Sequence, residues 1–252
     1  LDKQIKNKFK NKQSQHNSTF CFPKNEFKKQ IFQNKQKPKH KNTKHSPRMD
    51  STNETIGRLL CVVGGEIPID PMTINRVIRT AEDERFLSDS IARSKAKHSI
   101  PIAEVDITAY DIVFISGGWG ASYDLAQSPV LGEKVSDAYY GDKAAIIGGV
   151  CHGVLGLVNA RATDGSLIVA GRRMTGVTDK QIKELGIEVT PKHPETELRK
   201  AGAIFESQSA FRGVFATHVA VDDERRFVTG QNQNSGLEAA HVMMQVYAAR
   251  EG

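Results

Sequence analysis

The chemistry of this chain is concentrated in one short run. Ala144-Ala145-Ile146-Ile147-Gly148-Gly149-Val150-Cys151-His152-Gly153-Val154-Leu155-Gly156 carries an apolar, β-prone segment through two glycines into a single cysteine with a histidine beside it. The pattern predicts a buried strand that hands over to a helix through a sharp turn, lifting the thiol above the C-terminal edge of a sheet. So tight a turn needs small residues around it, and Gly149 and Gly153 supply them. A helix running from there to about Ala160 would point its free N–H groups at the sulfur and favour thiolate over thiol. The same residues also suit a free cysteine buried at a strand end, so the rest of the chain has to decide.

A second glycine-rich strand end is the first help. Asp111-Ile112-Val113-Phe114-Ile115-Ser116 reads as an apolar strand that runs into Gly117-Gly118-Trp119-Gly120. In open α/β sheets ligands bind beyond the carboxyl ends of the strands. The backbone amides of Gly117, Gly118 and His152 could there form an oxyanion hole beside Cys151. Trp119 would wall such a pocket or pack over the sheet edge. His193, between Pro191 and Pro194, falls on a loop or helix start and either faces the site or lies on the surface. His218 lies in a strand and is read as structural, and His241 falls off the apolar stripe of the last helix. A zinc site from His152, His193 and His218 lacks ligand spacing, and no metal is expected.

The elements that would position these groups alternate strand and helix. Leu59 to Val63 reads as a strand, the two prolines of Ile67-Pro68-Ile69-Asp70-Pro71 make a loop, and residues 72–97 are mixed helix and loop. Ser128-Pro129 opens a helix to about Tyr140. Leu167 to Ala170 and Arg173 to Val177 read as short strands around a turn at Gly171. Thr178-Asp179-Lys180-Gln181 is a capping box for a helix ended by Gly186, and Pro194 to Ala201 is another helix, stopped by Gly202. Strands follow at Ala203 to Glu206, Thr217 to Val221 and Phe227 to Thr229. In the final helix Ala239, Val242, Met243 and Val246 form a core-facing stripe. The order implies a mostly parallel sheet covered on both faces.

Charge divides the 252 residues in two. Residues 1–48 hold 14 Lys+Arg against Asp2 and Glu26, a net of +12, and the remaining 21 basic and 27 acidic residues give 49–252 a net of −6. The Lys-, Asn- and Gln-rich segment 1–48 has no sustained period and reads as a disordered basic tail, possible upstream sequence, ahead of one domain over 49–252. Nucleic-acid binding therefore has support only in that tail. Three cysteines, Cys21, Cys61 and Cys151, without metal-site spacing fit a reducing, cytoplasmic setting. No apolar run approaches membrane-spanning length.

Ser116-Gly117-Gly118-Trp119-Gly120 together with Val150-Cys151-His152-Gly153 resembles the DJ-1/PfpI superfamily, the class I glutamine amidotransferase-like fold. Pro68-Ile69-Asp70-Pro71, Thr175-Gly176-Val177-Thr178-Asp179 and Thr229-Gly230-Gln231-Asn232-Gln233-Asn234-Ser235 make it similar to the Hsp31/glyoxalase III-like branch, from about Cys61 to the C-terminus. The resemblance implies a flavodoxin-like three-layer α/β sandwich, a homodimer, a reactive Cys151 with His152 as catalytic neighbour, and no cofactor. It implies activity on a small reactive carbonyl, with a thiol hydrolase or a non-enzymatic redox sensor or holding chaperone as alternatives. Two departures accompany it. The branch places a strand–helix unit ahead of the stretch resembling 64–71, with a Glu that hydrogen-bonds the sulfur. Nothing in 1–58 reads as that unit, and Glu66 fills the role only in an alternative register. The acidic third member of the triad falls at Ile182, leaving Asp179 and Glu184 as neighbouring substitutes.

Overall fold

The computed structural model describes residues 18–21, 59–63, 81–97, 99–186 and 190–251. Its centre is a seven-stranded sheet in the order β3-β1-β2-β4-β5-β9-β8. Here β1 is Ser18–Cys21, β2 Leu59–Val63, β3 Ile100–Pro101, β4 Ile112–Ile115, β5 Ile146–Val150, β8 Val219–Val221 and β9 Phe227–Gly230. The four inner strands β2, β4, β5 and β9 run parallel; β1 lies antiparallel between β2 and the edge strand β3, and β8 adds the other, antiparallel edge. A separate parallel pair joins β6 (Arg173–Met174) to β7 (Ile204–Phe205). The helices are α1 (Ala81–Ser88), α2 (Ser90–Lys97), α3 (Ala121–Asp124), α4 (Pro129–Tyr140), α5 (Asp179–Glu184), α6 (Pro194–Lys200) and α7 (Gly236–Glu251).

Period-two alternation along the inner strands builds the layers. Val113, Ile115, Ile147 and Phe227 face one core with Leu131, Val135, Val154, Leu157 and Leu198. Their neighbours Ile112, Ile146 and Val228 face the other, with Met243 and Val246 of α7. Adjacent side chains of a strand point to opposite faces, so a strand buried on both sides reads as a continuous apolar run. Helices on both faces of a mixed, centrally parallel sheet make the expected α/β sandwich. The caps fall where the sequence puts them. Ser128 accepts from the Leu131 N–H with Pro129 in the first turn, and Thr178 and Gln181 exchange both bonds of a capping box.

Three expectations are corrected. After Cys151 the chain forms a seven-residue 3-10 helix, Cys151–Leu157, instead of an α-helix to Ala160. Its three-residue period stacks Gly153 over Gly156 against β4, where a Cβ on Gly153 would lie 2.3 Å from the Ile115 carbonyl oxygen. The same period carries Val154 and Leu157 into the core. Leu167 to Ala170 is a turn, closed by the Ala170 N–H on the Leu167 carbonyl, with Gly171 at φ +74° turning the chain. Ser18–Cys21, inside the segment read as disordered, is a strand antiparallel to β2, because backbone pairing needs only a short β-compatible run. The other residues of that segment, the Pro68-Ile69-Asp70-Pro71 loop and Glu66 lie outside the described residues.

Gly148 shows how closely the layers approach. A Cβ there would stand 2.0 Å from the Val228 carbonyl oxygen and 3.0 Å from the Met243 side chain. Gly148→Ala is expected to destabilise the protein by about 3 kcal/mol, at the upper end for overpacking. Gly120→Ala, with nothing within 4 Å and helical φ of −52°, should stay within ~0.5 kcal/mol of the parent. Denaturant unfolding of the two variants checks the contrast.

Candidate active site

The turn at Cys151 has the geometry of a nucleophile elbow. Cys151 sits at φ +58°, a left-handed conformation uncommon for a residue with a side chain. Glycines make it possible. A Cβ on Gly117 would fall 2.5 Å from the Val150 carbonyl oxygen and 2.9 Å from the Cys151 Cβ. Gly149 approaches the Ile115 carbonyl from the strand side, and Gly118, at φ +126°, turns the neighbouring loop. The backbone N–H groups of Gly118 and His152 act on the Cys151 sulfur and favour its charged form. At Gly117 the missing side chain lets β4 and β5 close.

Burial decides the ionisation of the pair. The His152 Nδ1 lies 3.4 Å from the Cys151 Sγ. Cys151 keeps some surface as a residue, yet desolvation outweighs the two N–H groups and pushes the thiol up to about 11. His152 is 3% exposed. Burial, with a smaller contribution from His193, holds its imidazole down to about 4. The resting pair is thus thiol and neutral imidazole, contrary to the thiolate that an α-helical N-terminus would favour. A thiol that donates to Nδ1 leaves the imidazole proton on Nε2, and that atom is buried with no partner among the described residues.

The acidic candidates are placed elsewhere. Ile182, 2% exposed, is a core residue. Asp179, first residue of α5, pairs through Oδ1 with the His193 Nδ1 at 3.1 Å and accepts from the Thr196 hydroxyl at 3.0 Å. Glu184 accepts the Gly213 N–H and pairs with Lys180. It holds the 206–216 loop together with Gln181 and with Gln231, whose amide clasps both backbone groups of Gln208. His218 pairs with Glu206 at 3.3 Å, and exposed Trp119 lies 6.2 Å from the Tyr123 ring. His152, His193 and His218 therefore have no common centre, and no group of three or more metal-ligating side chains gathers among the described residues. None of their helices is long and apolar enough to cross a membrane.

What the sequence does not reveal is that His193 and Asp179 belong together. His193 caps α6, which packs on the 151–157 turn, and Pro194 and Gly176 meet beside the Cys151 carbonyl. Thr175 is fixed to β9 by its N–H on the Thr229 hydroxyl. Residues 14 apart thus form one wall of the site, completed by Thr196. The only sequence signal is a pair of separate helix starts, each with its own local explanation.

Comparison with known proteins places this geometry. A model of the DJ-1/PfpI family matches residues 62–245. "Probable glutathione-independent glyoxalase hsp3103" of Schizosaccharomyces pombe is 29% identical over 155 residues, covering 57% of this chain and 55% of that protein. Hsp3105 of the same organism is 26% identical over 157 residues, 60% of each chain. This chain thus spans less than two thirds of the length of these relatives. Among solved structures, the Rapid Encystment Protein 24 kDa of Francisella tularensis is 31% identical with a TM-score of 0.65, covering 73% of this chain and 78% of that one. Glyoxalase III of Candida albicans shares the fold at a TM-score of 0.58 and 24% identity, over 71% and 74% of the two chains.

The displaced ionisations predict how stability follows pH. An unfolded chain protonates His152 near 6.5 and the folded one only near 4, so the unfolded state binds more protons between those values. Stability falls as pH drops through that window, by about 3 kcal/mol for a shift of this size. Cys151 acts oppositely at the alkaline end, where stability is lost as pH rises from 9.0 toward 11. Denaturant unfolding from pH 7 to 4 should show a shallower loss for His152→Asn than for the parent. Parallel curves would contradict the assignment.

Proposed function

Because the chain belongs to the DJ-1/PfpI family, we propose that it is a cysteine-dependent, glutathione-independent enzyme for small reactive carbonyls, of the type that converts methylglyoxal to lactate. The observation that carries the reading is the elbow itself, a left-handed Cys151 whose sulfur meets two backbone N–H groups and an imidazole. The similarity to glutathione-independent glyoxalases supports it.

The reaction uses these groups in order. The Cys151 sulfur adds to the aldehyde carbon, forming a C–S bond as the thiol proton passes to the His152 Nδ1. Negative charge gathers on the former carbonyl oxygen, and the Gly118 and His152 N–H groups are the donors that meet it. The proton on the former aldehyde carbon is removed and a proton is delivered to the neighbouring carbon, turning the hemithioacetal into a 2-hydroxyacyl thioester. Water then cleaves the C–S bond, releasing the 2-hydroxy acid and regenerating the thiol. No external reductant or oxidant is needed, since one carbon is oxidised as its neighbour is reduced.

An acyl hydrolase would use the same sulfur and donors, and substrate choice separates the two.

Purified protein is expected to form lactate from methylglyoxal without glutathione, and Cys151→Ser to reduce turnover to the uncatalysed background. Equal turnover by both proteins would refute cysteine dependence. Turnover of acyl esters with none of 2-oxoaldehydes would reassign the chain to the hydrolase class.

A further inference from the structure

The loop between β7 and β8 carries two phenylalanines that the fold leaves in water. Phe211 is 98% exposed and Phe215 70%, and Leu185, next to the Glu184 that binds this loop, is 50% exposed. Apolar residues scattered singly on a surface are ordinary, but a cluster of them marks a contact surface. We propose that this loop docks the protein on an anionic lipid surface. Phe211 and Phe215 enter the interface, and the Lys and Arg side chains around them meet the headgroups.

The pose of the loop is fixed by its backbone. The Gln231 amide clasps both backbone groups of Gln208 at 2.8 and 3.0 Å, and the Lys180 Nζ donates to the Ala210 carbonyl at 2.8 Å. Further on, the Gln181 Nε2 donates to the Gly213 carbonyl and the Asn232 Nδ2 to the Ala216 carbonyl, each at 2.6 Å. The three amide side chains are at most 2% exposed. Bonds on either side of each phenylalanine thus hold the rings outward. Shape favours a bilayer over a protein partner. A ring 98% exposed stands clear of its own surface as a projection. A fluid bilayer closes around a projection, whereas a protein needs a fitted pocket. Charge points the same way. Lys180 and Lys183 lie on α5 along the loop, and Arg212 directly follows Phe211. Lys183 and Arg212 are exposed and meet no carboxylate among the described residues. The neighbouring acids are engaged, Glu184 by the Gly213 N–H and Lys180, Asp179 by His193, and Glu206 by Arg173. The rim is therefore basic although residues 49–252 carry a net −6, and segment 1–48, at +12, adds attraction of the same sign. Apolar rings within free positive charge are the composition that binds anionic lipid.

Co-sedimentation of the full chain with vesicles tests the proposal, using phosphatidylcholine alone and phosphatidylcholine with phosphatidylserine. The parent is expected to bind the vesicles that contain phosphatidylserine and to be released as salt is raised. Phe211→Ser and Phe215→Ser should each weaken binding about 10-fold, the loss expected for one aromatic side chain left in water. Lys183→Glu combined with Arg212→Glu should remove the preference for phosphatidylserine. Phe211 buries almost no surface, so Phe211→Ser keeps the fold, and an unchanged thermal unfolding midpoint verifies this. Segment 1–48 is common to parent and variants and cannot produce the difference between them. Equal binding by parent and phenylalanine variants, equal binding to both kinds of vesicle, or no binding would overturn the proposal. So would a dimer that Phe211→Ser disperses in sedimentation velocity without lipid, which would give the patch to a second copy. Methylglyoxal turnover in solution should be the same for Phe211→Ser and the parent, so this proposal and the carbonyl reading fail separately.

Discussion

The structure depends on how closely the ends of β4 and β5 approach. Cys151 occupies the left-handed region beside Gly117, whose Cβ would lie 2.9 Å from its own. Gly117, Gly149 and Gly153 each stand where a Cβ would press on backbone at 3.1 Å or less. The strain of that turn is of order 1–3 kcal/mol, and the sandwich on both faces holds it. Ile115 and Ile147 lock one side of the two strands, and Ile112, Ile146 and Met243 the other. The 3-10 winding after Cys151 follows from the same constraint. The three-residue period keeps Gly153 and Gly156 on the strand side while Val154 and Leu157 enter the core.

Tight closure has an electrostatic cost. Removing water from the sulfur and the imidazole disfavours both charged forms, raising the thiol and lowering the histidine. Two backbone donors oppose this at the sulfur without overcoming it. The neutral resting pair is therefore a consequence of packing. Both groups can carry charge only at the cost of that desolvation.

Much of this architecture is legible in the amino-acid sequence. Strands show as apolar runs, the helix starts at Ser128 and Thr178 as cap chemistry, and the elbow as glycine spacing around Cys151. These are local rules acting over a few residues. Leu167 to Ala170 imitates a strand because Ile168 and Val169 are buried as strand residues are, yet they reach the core from a turn. The residues after Cys151 imitate an α-helix because propensity does not register a carbonyl oxygen 2.3 Å from an absent Cβ. The roles of Gln231 and Glu184, which pin the 206–216 loop, depend on partners more than 20 residues away and leave no periodic trace.

The fate of the acidic partner is set by one helix. The capping box turns Gln181 and Ile182 inward, where they are 2% exposed. An ionised carboxylate at 182 would need a hydrogen-bond partner to offset its desolvation. Isoleucine avoids that requirement and fills the space, but it offers nothing to an imidazole. Three residues earlier, the first turn of α5 places Asp179 outward, where a carboxylate is favoured by the helix dipole and by water. A carboxylate there cannot orient a histidine sealed beneath the wall. It can orient one on the wall, and His193 stands there because Pro194 starts α6 at that point. The first turn of α5 thus holds its carboxylate in water, paired with His193, while the position three residues on stays apolar in the core.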